Sequence, residues 1–193
     1  MVNTVAQRRE ARTAEIVDSA WVLARQHGIA AISLRALAAE VGMRQPSLYE
    51  YFDSKHALYD AMFAAGNRQL LARLDETELP AAPRAALRTI LRAFVDFALE
   101  DPARCELLFE RHVPGFSPTE SSYALAGAAL DRVIAVMHAA GVSDQGDVDC
   151  LVAITAGLMQ AQLANDPDGD RWVRHLDRMI DLQLDHVHQR STS

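Results

Sequence analysis

The chain has 193 residues, of which half are hydrophobic and 23% are charged, and its formal net charge is −7. This composition excludes an intrinsically disordered chain and is typical of globular domains. The excess of negative charge also excludes a uniformly basic nucleic-acid-binding protein, so contact with nucleic acid would need a local group of cations.

The sequence shows no targeting or membrane segment. Its first ten residues lack the apolar core of a signal peptide. The longest uncharged stretch, from Cys150 to Asn165, is shorter than the roughly 20 residues that a transmembrane helix needs. Cys105 and Cys150 match no metal or redox spacing and suit a reducing compartment, although a disulfide between them stays open. We therefore expect a cytoplasmic protein that does not bind a membrane.

Four helices are predicted in the N-terminal part of the chain. Apolar residues at helical spacing indicate a first helix over residues 5–26. Ser33 is a suitable N-cap for a short second helix, which ends at Gly42, where a left-handed residue is favoured. A third short helix over 45–51 begins with a proline in its first turn, which is well tolerated there, and a fourth helix covers 55–74.

Five further helical segments follow, and no alternating run of β-branched residues indicates a strand. They extend over about 83–100, 101–111, 119–140, 144–165 and 170–189. The prediction is an all-α fold of about nine helices.

The second and third helices have the length and spacing of a helix-turn-helix, whose second helix enters the major groove of DNA. In this arrangement the leucines and the valine of the two helices point inward, which leaves a polar outer edge. Arginine pairs with guanine O6 and N7, glutamine pairs with adenine N6 and N7, and hydroxyl groups reach phosphates. The outer edge holds Arg35, Arg44, Gln45, Ser47, Tyr49 and Tyr51. Residues 1–56 carry seven basic and six acidic side chains, so the acidity lies elsewhere in the chain.

The segment from Ser33 to Lys55 resembles the DNA-binding signature of the TetR family, above all in its Leu-Tyr-x-Tyr-Phe-x-x-Lys element. The resemblance covers residues 8–63 and extends weakly over the whole chain through the pattern of nine helices. It implies that Arg35 and Gln45 read base edges. It further implies contacts with thymine methyl groups or backbone by Pro46 and Ser47, and with phosphates by Tyr49, Tyr51 and Lys55. The complete predicted DNA-binding set is Ser33, Arg35, Arg44, Gln45, Pro46, Ser47, Tyr49, Tyr51 and Lys55.

Other interpretations of these residues stay open. For Arg35 the alternative is a solvated helix face, although DNA contact is favoured. Tyr49 and Tyr51 would also suit the packing between helices, and Lys55 the first turn of the fourth helix. Where family members commonly have His or Trp, this chain has Glu50, whose role the resemblance does not define. A mobile basic arm that adds affinity without reading sequence is expected from Arg8, Arg9 and Arg12.

The resemblance implies two domains: a three-helix DNA-binding domain over 1–54, and a helical domain over 55–193 that binds a small molecule and forms a dimer. The last two helices would pair with those of a second subunit, although an intramolecular core would satisfy the same residues. The predicted ligand-binding residues are Met62, Phe94, Phe97, Phe109, His112, Phe116, Tyr123 and Met159. The predicted dimer residues are Ala153, Ala156, Gly157, Ala161, Trp172, Leu176, Met179 and Ile180.

The function predicted from the sequence is that of a homodimeric transcriptional regulator, a repressor that a small-molecule effector releases from a palindromic DNA operator. Activation instead of repression would use the same protein chemistry. The alternative from another class is an all-helical enzyme or small-molecule binding protein with a vestigial helix-turn-helix. It would need a group of convergent polar side chains, and we expect no catalytic residues, metal or cofactor. The acidic run 166–170 imitates a calcium loop, but Pro167 and Arg171 disrupt that motif.

Overall fold

The computed structural model describes residues 4–110 and 113–191. All regular elements in these two ranges are helical, which confirms the all-α prediction. The α-helices are α1 Val5–His27, α2 Leu34–Glu40, α3 Gln45–Tyr49, α4 Lys55–Glu76, α5 Pro83–Leu99, α6 Pro102–Phe109, α7 Glu120–Ala139, α8 Gln145–Asn165 and α9 Leu176–Ser191, with short 3₁₀ turns at Ile29–Ala31 and Val173–His175. No helix within the described ranges is both long and apolar enough to cross a bilayer.

Side-chain caps define several helix starts. Thr4 and Gln7 form a reciprocal capping box that begins α1. The Ser33 hydroxyl accepts from the Ala36 amide at 3.1 Å at the start of α2, as predicted. The Asp101 carboxylate accepts from the Arg104 amide at the start of α6. These caps satisfy amide groups that have no partner within their own helix.

Most predicted helix bounds differ from the structure by one or two residues, and the differences at the end of α3 and the start of α9 have a visible cause. Helix α3 ends at Tyr49 rather than residue 51, because the Tyr51 amide bonds to the Leu48 carbonyl in a tighter i→i−3 turn. The last helix starts at Leu176 rather than near residue 170. Buried Gln162 holds the preceding segment in turns, since its amide oxygen accepts from the backbone amides of Trp172 and Val173.

The chain divides into two compact units. The first contains residues up to 68 together with 101–125, and the second contains 69–100 together with 126–193. Helices α4 and α7 therefore each contribute to both units. The domain boundary predicted after residue 54 stays a prediction.

The core of the first unit joins α1 to the helix-turn-helix. Ile16 and Ala20 of α1 are fully buried, as are Leu37 of α2 and Leu48 of α3. The Tyr59 ring of α4 is also buried, and its hydroxyl donates to the Ile29 carbonyl at 2.8 Å. Each fully buried large apolar side chain contributes roughly 1.5–3 kcal/mol. This burial fixes which faces of α2 and α3 remain outside.

The second unit packs α5, α8 and α9 together. Charged contacts accompany the apolar core. The buried Asp147 carboxylate of α8 accepts from Gln183 and Arg190 of α9, the latter at 2.8 Å. A charged residue inside a helical core is tolerated only when such partners are present.

The two cysteines are free thiols. Cys105 is buried in α6, and this burial raises the pKa of its thiol to about 12. Cys150 is exposed on α8. The open alternative of a disulfide between them is therefore not realised in this structure, and Cys105 stays protonated at neutral pH.

Candidate DNA interface

The turn between α2 and α3 is built by a Schellman motif. The Met43 amide bonds to the Ala38 carbonyl at 2.8 Å, and the Gly42 amide bonds to the Ala39 carbonyl at 3.2 Å. Gly42 has a φ of 65°, which a glycine adopts without steric cost. This motif ends α2 sharply enough for α3 to begin at Gln45 and gives the helix-turn-helix predicted from the sequence.

The outer edge of this pair of helices is polar and accessible. Arg35 of α2 is exposed, as are Arg44 and Gln45 at the start of α3. Tyr49 is 47% exposed, whereas the neighbouring Leu48 is fully buried. Pro46 is exposed as well, and Ser47 is half-buried.

A shallow groove of about 390 Å³ lies along this edge. Its lining is Ile32, Ser33, Leu34, Arg35, Gln45, Tyr49, Asp53, Ser54 and Lys55. The groove therefore brings together Ser33, Arg35, Gln45, Tyr49 and Lys55 from the predicted DNA-binding set. Arg44, Pro46, Ser47 and Tyr51 do not line it.

Lys55 begins α4 and already has partners within the protein. Its ammonium donates to the Ala30 carbonyl at 2.7 Å and lies 5.3 Å from the centre of the Tyr59 ring. Because an ammonium has three N–H donors, this bond leaves two for an external anion. The contact also explains how a cation is tolerated in the first turn of a helix.

Tyr51 lies in the turn after α3 and is half-buried. The Arg9 guanidinium of α1 lies 5.0 Å from the centre of its ring and also donates to the Glu50 carbonyl. Tyr51 is thus stacked against an arginine of its own chain, in agreement with the packing interpretation that the sequence left open. Its predicted phosphate contact stays a prediction. The Glu50 side chain is exposed.

The expectation of a mobile basic arm is wrong. Arg8, Arg9 and Arg12 all lie in α1, which the capping box of Thr4 and Gln7 begins at Val5. Arg12 donates to the Val41 carbonyl at 2.9 Å. Sequence reasoning missed Arg9 and Arg12 as partners of the helix-turn-helix, although their spacing of three residues places them on one side of a helix.

The predicted ligand-binding residues are distributed over both units. Those of the first unit are the buried Met62, the half-buried Phe109 and Phe116, and Tyr123, which is 56% exposed. The Phe116 ring packs edge-on against Tyr59 with 5.7 Å between ring centres. Those of the second unit are the buried Phe97 and Met159 and the half-buried Phe94. His112 lies outside the described residues, and the ligand-binding set stays a prediction.

The predicted dimer residues differ in exposure. Ala153, Ala156 and Gly157 are exposed on α8, whereas Ala161, Trp172 and Met179 are half-buried. Leu176 and Ile180 are fully buried, so the chain itself already covers these two side chains, as the intramolecular interpretation requires. Nearby exposed apolar residues that were not predicted are Val152 on α8 and Leu182 on α9.

Comparison with protein families matches both parts of the chain. The family described as bacterial regulatory proteins, tetR family, matches residues 16–62. The family described as tetracyclin repressor-like, C-terminal domain, matches residues 87–187, which is more than half of the chain.

Two relatives carry the same kind of description. YobS, an uncharacterized HTH-type transcriptional regulator of Bacillus subtilis, is 31% identical over 91 residues, which are 47% of this chain and 48% of that protein. The HTH-type transcriptional regulator Rv1816 of Mycobacterium tuberculosis is 30% identical over 142 residues, which are 68% of this chain and 61% of that protein. The chain therefore spans less than two thirds of the length of these relatives.

Solved structures share the fold. Regulatory protein SCO4313 has a TM-score of 0.73 at 24% identity, covering 95% of this chain and 98% of that one. BioQ with its double-stranded DNA operator has a TM-score of 0.61 at 22% identity, covering 91% and 96%. A TetR variant from Acinetobacter baumannii AYE in complex with minocycline has a TM-score of 0.58 at 21% identity, covering 94% and 95%.

The family match over residues 16–62 includes the motif from Ser33 to Lys55. The outer edge of α2 and α3 within this motif is polar and exposed. The chain therefore belongs to the TetR family of bacterial regulatory proteins, and its helices α2 and α3 form the helix-turn-helix within the part that the family model matches.

Proposed function

We propose that this regulator is a homodimeric repressor that binds a palindromic operator and is released from it by a small-molecule ligand. The observation that carries the proposal is the groove along α2 and α3, where Arg35, Gln45 and Tyr49 are exposed together. These are side chains that hydrogen-bond to base edges and phosphates.

The division of roles follows from side-chain chemistry and position. Arg35 and Gln45 read base edges in the major groove, because each offers two hydrogen-bonding groups in one plane. Ser33, Tyr49 and Lys55 hold the phosphates on either side of the groove, with Arg44, Pro46, Ser47 and Tyr51 around them. The structural neighbour BioQ, which shares the fold, was solved with its double-stranded DNA operator, and this supports DNA binding by the chain.

A second copy of the chain supplies the second recognition helix. One short α3 contacts only a few base pairs, and two half-sites about one helical turn (roughly 34–36 Å) apart give the specificity that one lacks. The exposed small residues Ala153, Ala156 and Gly157 of α8 allow close helix approach, and Leu182 of α9 is 55% exposed. These residues support an interface between copies through α8 and α9.

The effector site belongs to the helices that follow the helix-turn-helix. The aromatic and methionine side chains of the predicted set suit an apolar small molecule. The TetR variant in complex with minocycline, a neighbour of the same fold, supports the binding of a small molecule. A ligand releases the operator only through its different affinities for the DNA-bound and free conformations. Because the proposed partner of this protein is bacterial DNA, we place the protein in the cytoplasm.

The first experiment tests operator binding and assembly. A duplex is selected from a random pool with the wild-type protein, and the stoichiometry of the complex is measured by sedimentation. We expect two protomers on a sequence with inverted half-sites. Leu182→Glu should give monomers and lose the second half-site. Val22→Glu, the same kind of change at an exposed valine of α1, should leave the dimer intact. A monomer that binds one half-site contradicts the proposal.

The second experiment tests release. Compounds that raise the melting temperature of the free protein are added to the complex with the selected duplex. Release of the duplex by at least one of them, with derepression of a reporter behind that duplex, is the expected result. Activation of the reporter by the unliganded protein contradicts the repressor role. Chemical turnover of a stabilising compound would favour the enzyme alternative instead.

A further inference from the structure

Two arginine side chains of α1 donate hydrogen bonds to the helix-turn-helix. The Arg12 Nη2 group donates to the carbonyl of Val41, the C-cap residue of α2, at 2.9 Å. The Arg9 Nη2 group donates to the carbonyl of Glu50, the C-cap residue of α3. Two arginines three residues apart thus bind the C-terminal ends of both helices in the motif.

These positions are electrostatically favourable for a cation. The last carbonyl groups of an α-helix have no partner within the helix and carry a partial negative charge. Arg9 gains a second contact, because its guanidinium lies 5.0 Å from the centre of the Tyr51 ring. One residue therefore holds both the end of α3 and the turn that follows it.

The two bound helices are too short to fix their own orientation. Helix α2 has seven residues and α3 has five, and isolated helices of that length are not stable in water. Leu37 and Leu48 bury the inner faces of the two helices, and contacts at the C-terminal ends add a restraint on their orientation. The contacts of Arg9 and Arg12 supply that restraint from α1.

We infer that Arg9 and Arg12 are positioning residues that set the orientation of the recognition helix α3, and that they act on DNA specificity without being phosphate ligands. Both terminal nitrogens of Arg12 are engaged, since Nη1 pairs with Glu15 at 2.7 Å and Nη2 with Val41. The local charge of Arg12 is thereby balanced. This role of α1 rests on DNA binding by the helix-turn-helix, although α1 itself lies outside that motif.

The test compares Arg9→Met and Arg12→Met with the wild-type protein on two duplexes. One duplex is selected from a random pool by the wild-type protein, and the other is its shuffled sequence of equal composition. Affinities are measured over a series of salt concentrations. Arg68→Met is the matched control, because Arg68 is an exposed arginine of α4 and its removal changes the net charge equally.

For Arg9→Met we expect affinity for the selected duplex to fall by about tenfold, with little change for the shuffled duplex and an unchanged salt slope. Arg12→Met should act in the same direction. Arg9→Lys should recover part of the loss, because an ammonium still donates to a carbonyl and contacts a ring. Arg68→Met should leave the ratio of the two affinities unchanged.

Three outcomes overturn the inference. An equal loss on both duplexes, with a salt slope lower by about 0.9, identifies Arg9 as a phosphate ligand. Unchanged affinities for both duplexes show that α1 does not position α3. If a variant loses all DNA binding, hydrogen–deuterium exchange distinguishes a local change at the helix-turn-helix from unfolding of the whole protein. Faster exchange confined to residues 41–52 supports positioning, and faster exchange throughout the protein overturns it.

Discussion

Arg88 of α5 and Asp181 of α9 form a two-pronged ion pair. The Arg88 Nε group donates to Oδ1 of Asp181 at 3.0 Å, and its Nη2 group contacts both carboxylate oxygens. The same two helices pair again one turn away on each side. These flanking pairs are Arg84 with Asp185 and Arg92 with Asp177. Arginines and aspartates each recur every four residues, so the antiparallel helices are held in one register.

Replacement of Arg88 by Gln should lower the free energy of unfolding by about 0.5–1 kcal/mol. The contribution of the ion pair to stability is modest because water screens it: 37% of the Arg88 side chain and 31% of the Asp181 side chain are exposed. Urea unfolding of Arg88→Gln, Asp181→Asn and the double variant measures the coupling. Arg68→Gln serves as a control for loss of one charge. A coupling energy of zero would show that the pair follows from packing and does not stabilise it.

Acid should weaken this helix pair. The hydrogen bond from Arg88 is the main cause that lowers the pKa of the Asp181 carboxyl below its ordinary value of 3.8. A carboxyl with a lowered pKa in the folded state stabilises the fold above its unfolded pKa and loses that effect as the pH falls through its folded pKa. Unfolding by urea should therefore become easier below about pH 3.8. The variant Asp181→Asn should show a smaller decrease over that range, and an identical decrease would contradict the assignment.

Removal of the Arg35 side chain should relax sequence recognition at one base pair. We expect Arg35→Ala to lose roughly 1–3 kcal/mol on the preferred base and little on the other bases at that position. Binding titrations with four duplexes that differ only there measure the effect. Glu40→Ala, a change on the same helix, should alter all four affinities alike. Equal losses in Arg35→Ala would show that Arg35 contacts the DNA backbone instead.

Lys55 should contribute affinity without specificity. Lys55→Ala should weaken binding to selected and shuffled duplexes to the same extent and lower the salt slope by about one. Lys55→Arg should keep the slope, since it retains the charge. An unchanged slope in Lys55→Ala would indicate that its ammonium serves only the Ala30 carbonyl, which it binds at 2.7 Å.

Local signals were sufficient for most of the helix-turn-helix. The cap at Ser33, the positive φ of Gly42 and the inward position of Leu48 each depend on a few neighbouring residues, and all three agree with the sequence-based expectation. The predicted start of the last helix, near residue 170, is wrong, because α9 begins at Leu176. Gln162 holds the segment before that helix through contacts ten and eleven residues further along the chain. Helical periodicity carries no information about such contacts.

The amino-acid sequence alone determined the family and the helical class, because periodicity, capping and the Leu-Tyr-x-Tyr-Phe-x-x-Lys element are local properties of the chain. It also predicts a set of residues for contact with DNA. Only the tertiary structure decided which of those residues have partners within the protein. Arg9 and Arg12 meet the ends of α3 and α2 across 41 and 29 residues, and Lys55 meets the Ala30 carbonyl across 25. Each partner is a backbone carbonyl, which every residue type carries and which becomes a specific acceptor only when folding brings a helix end beside a cation.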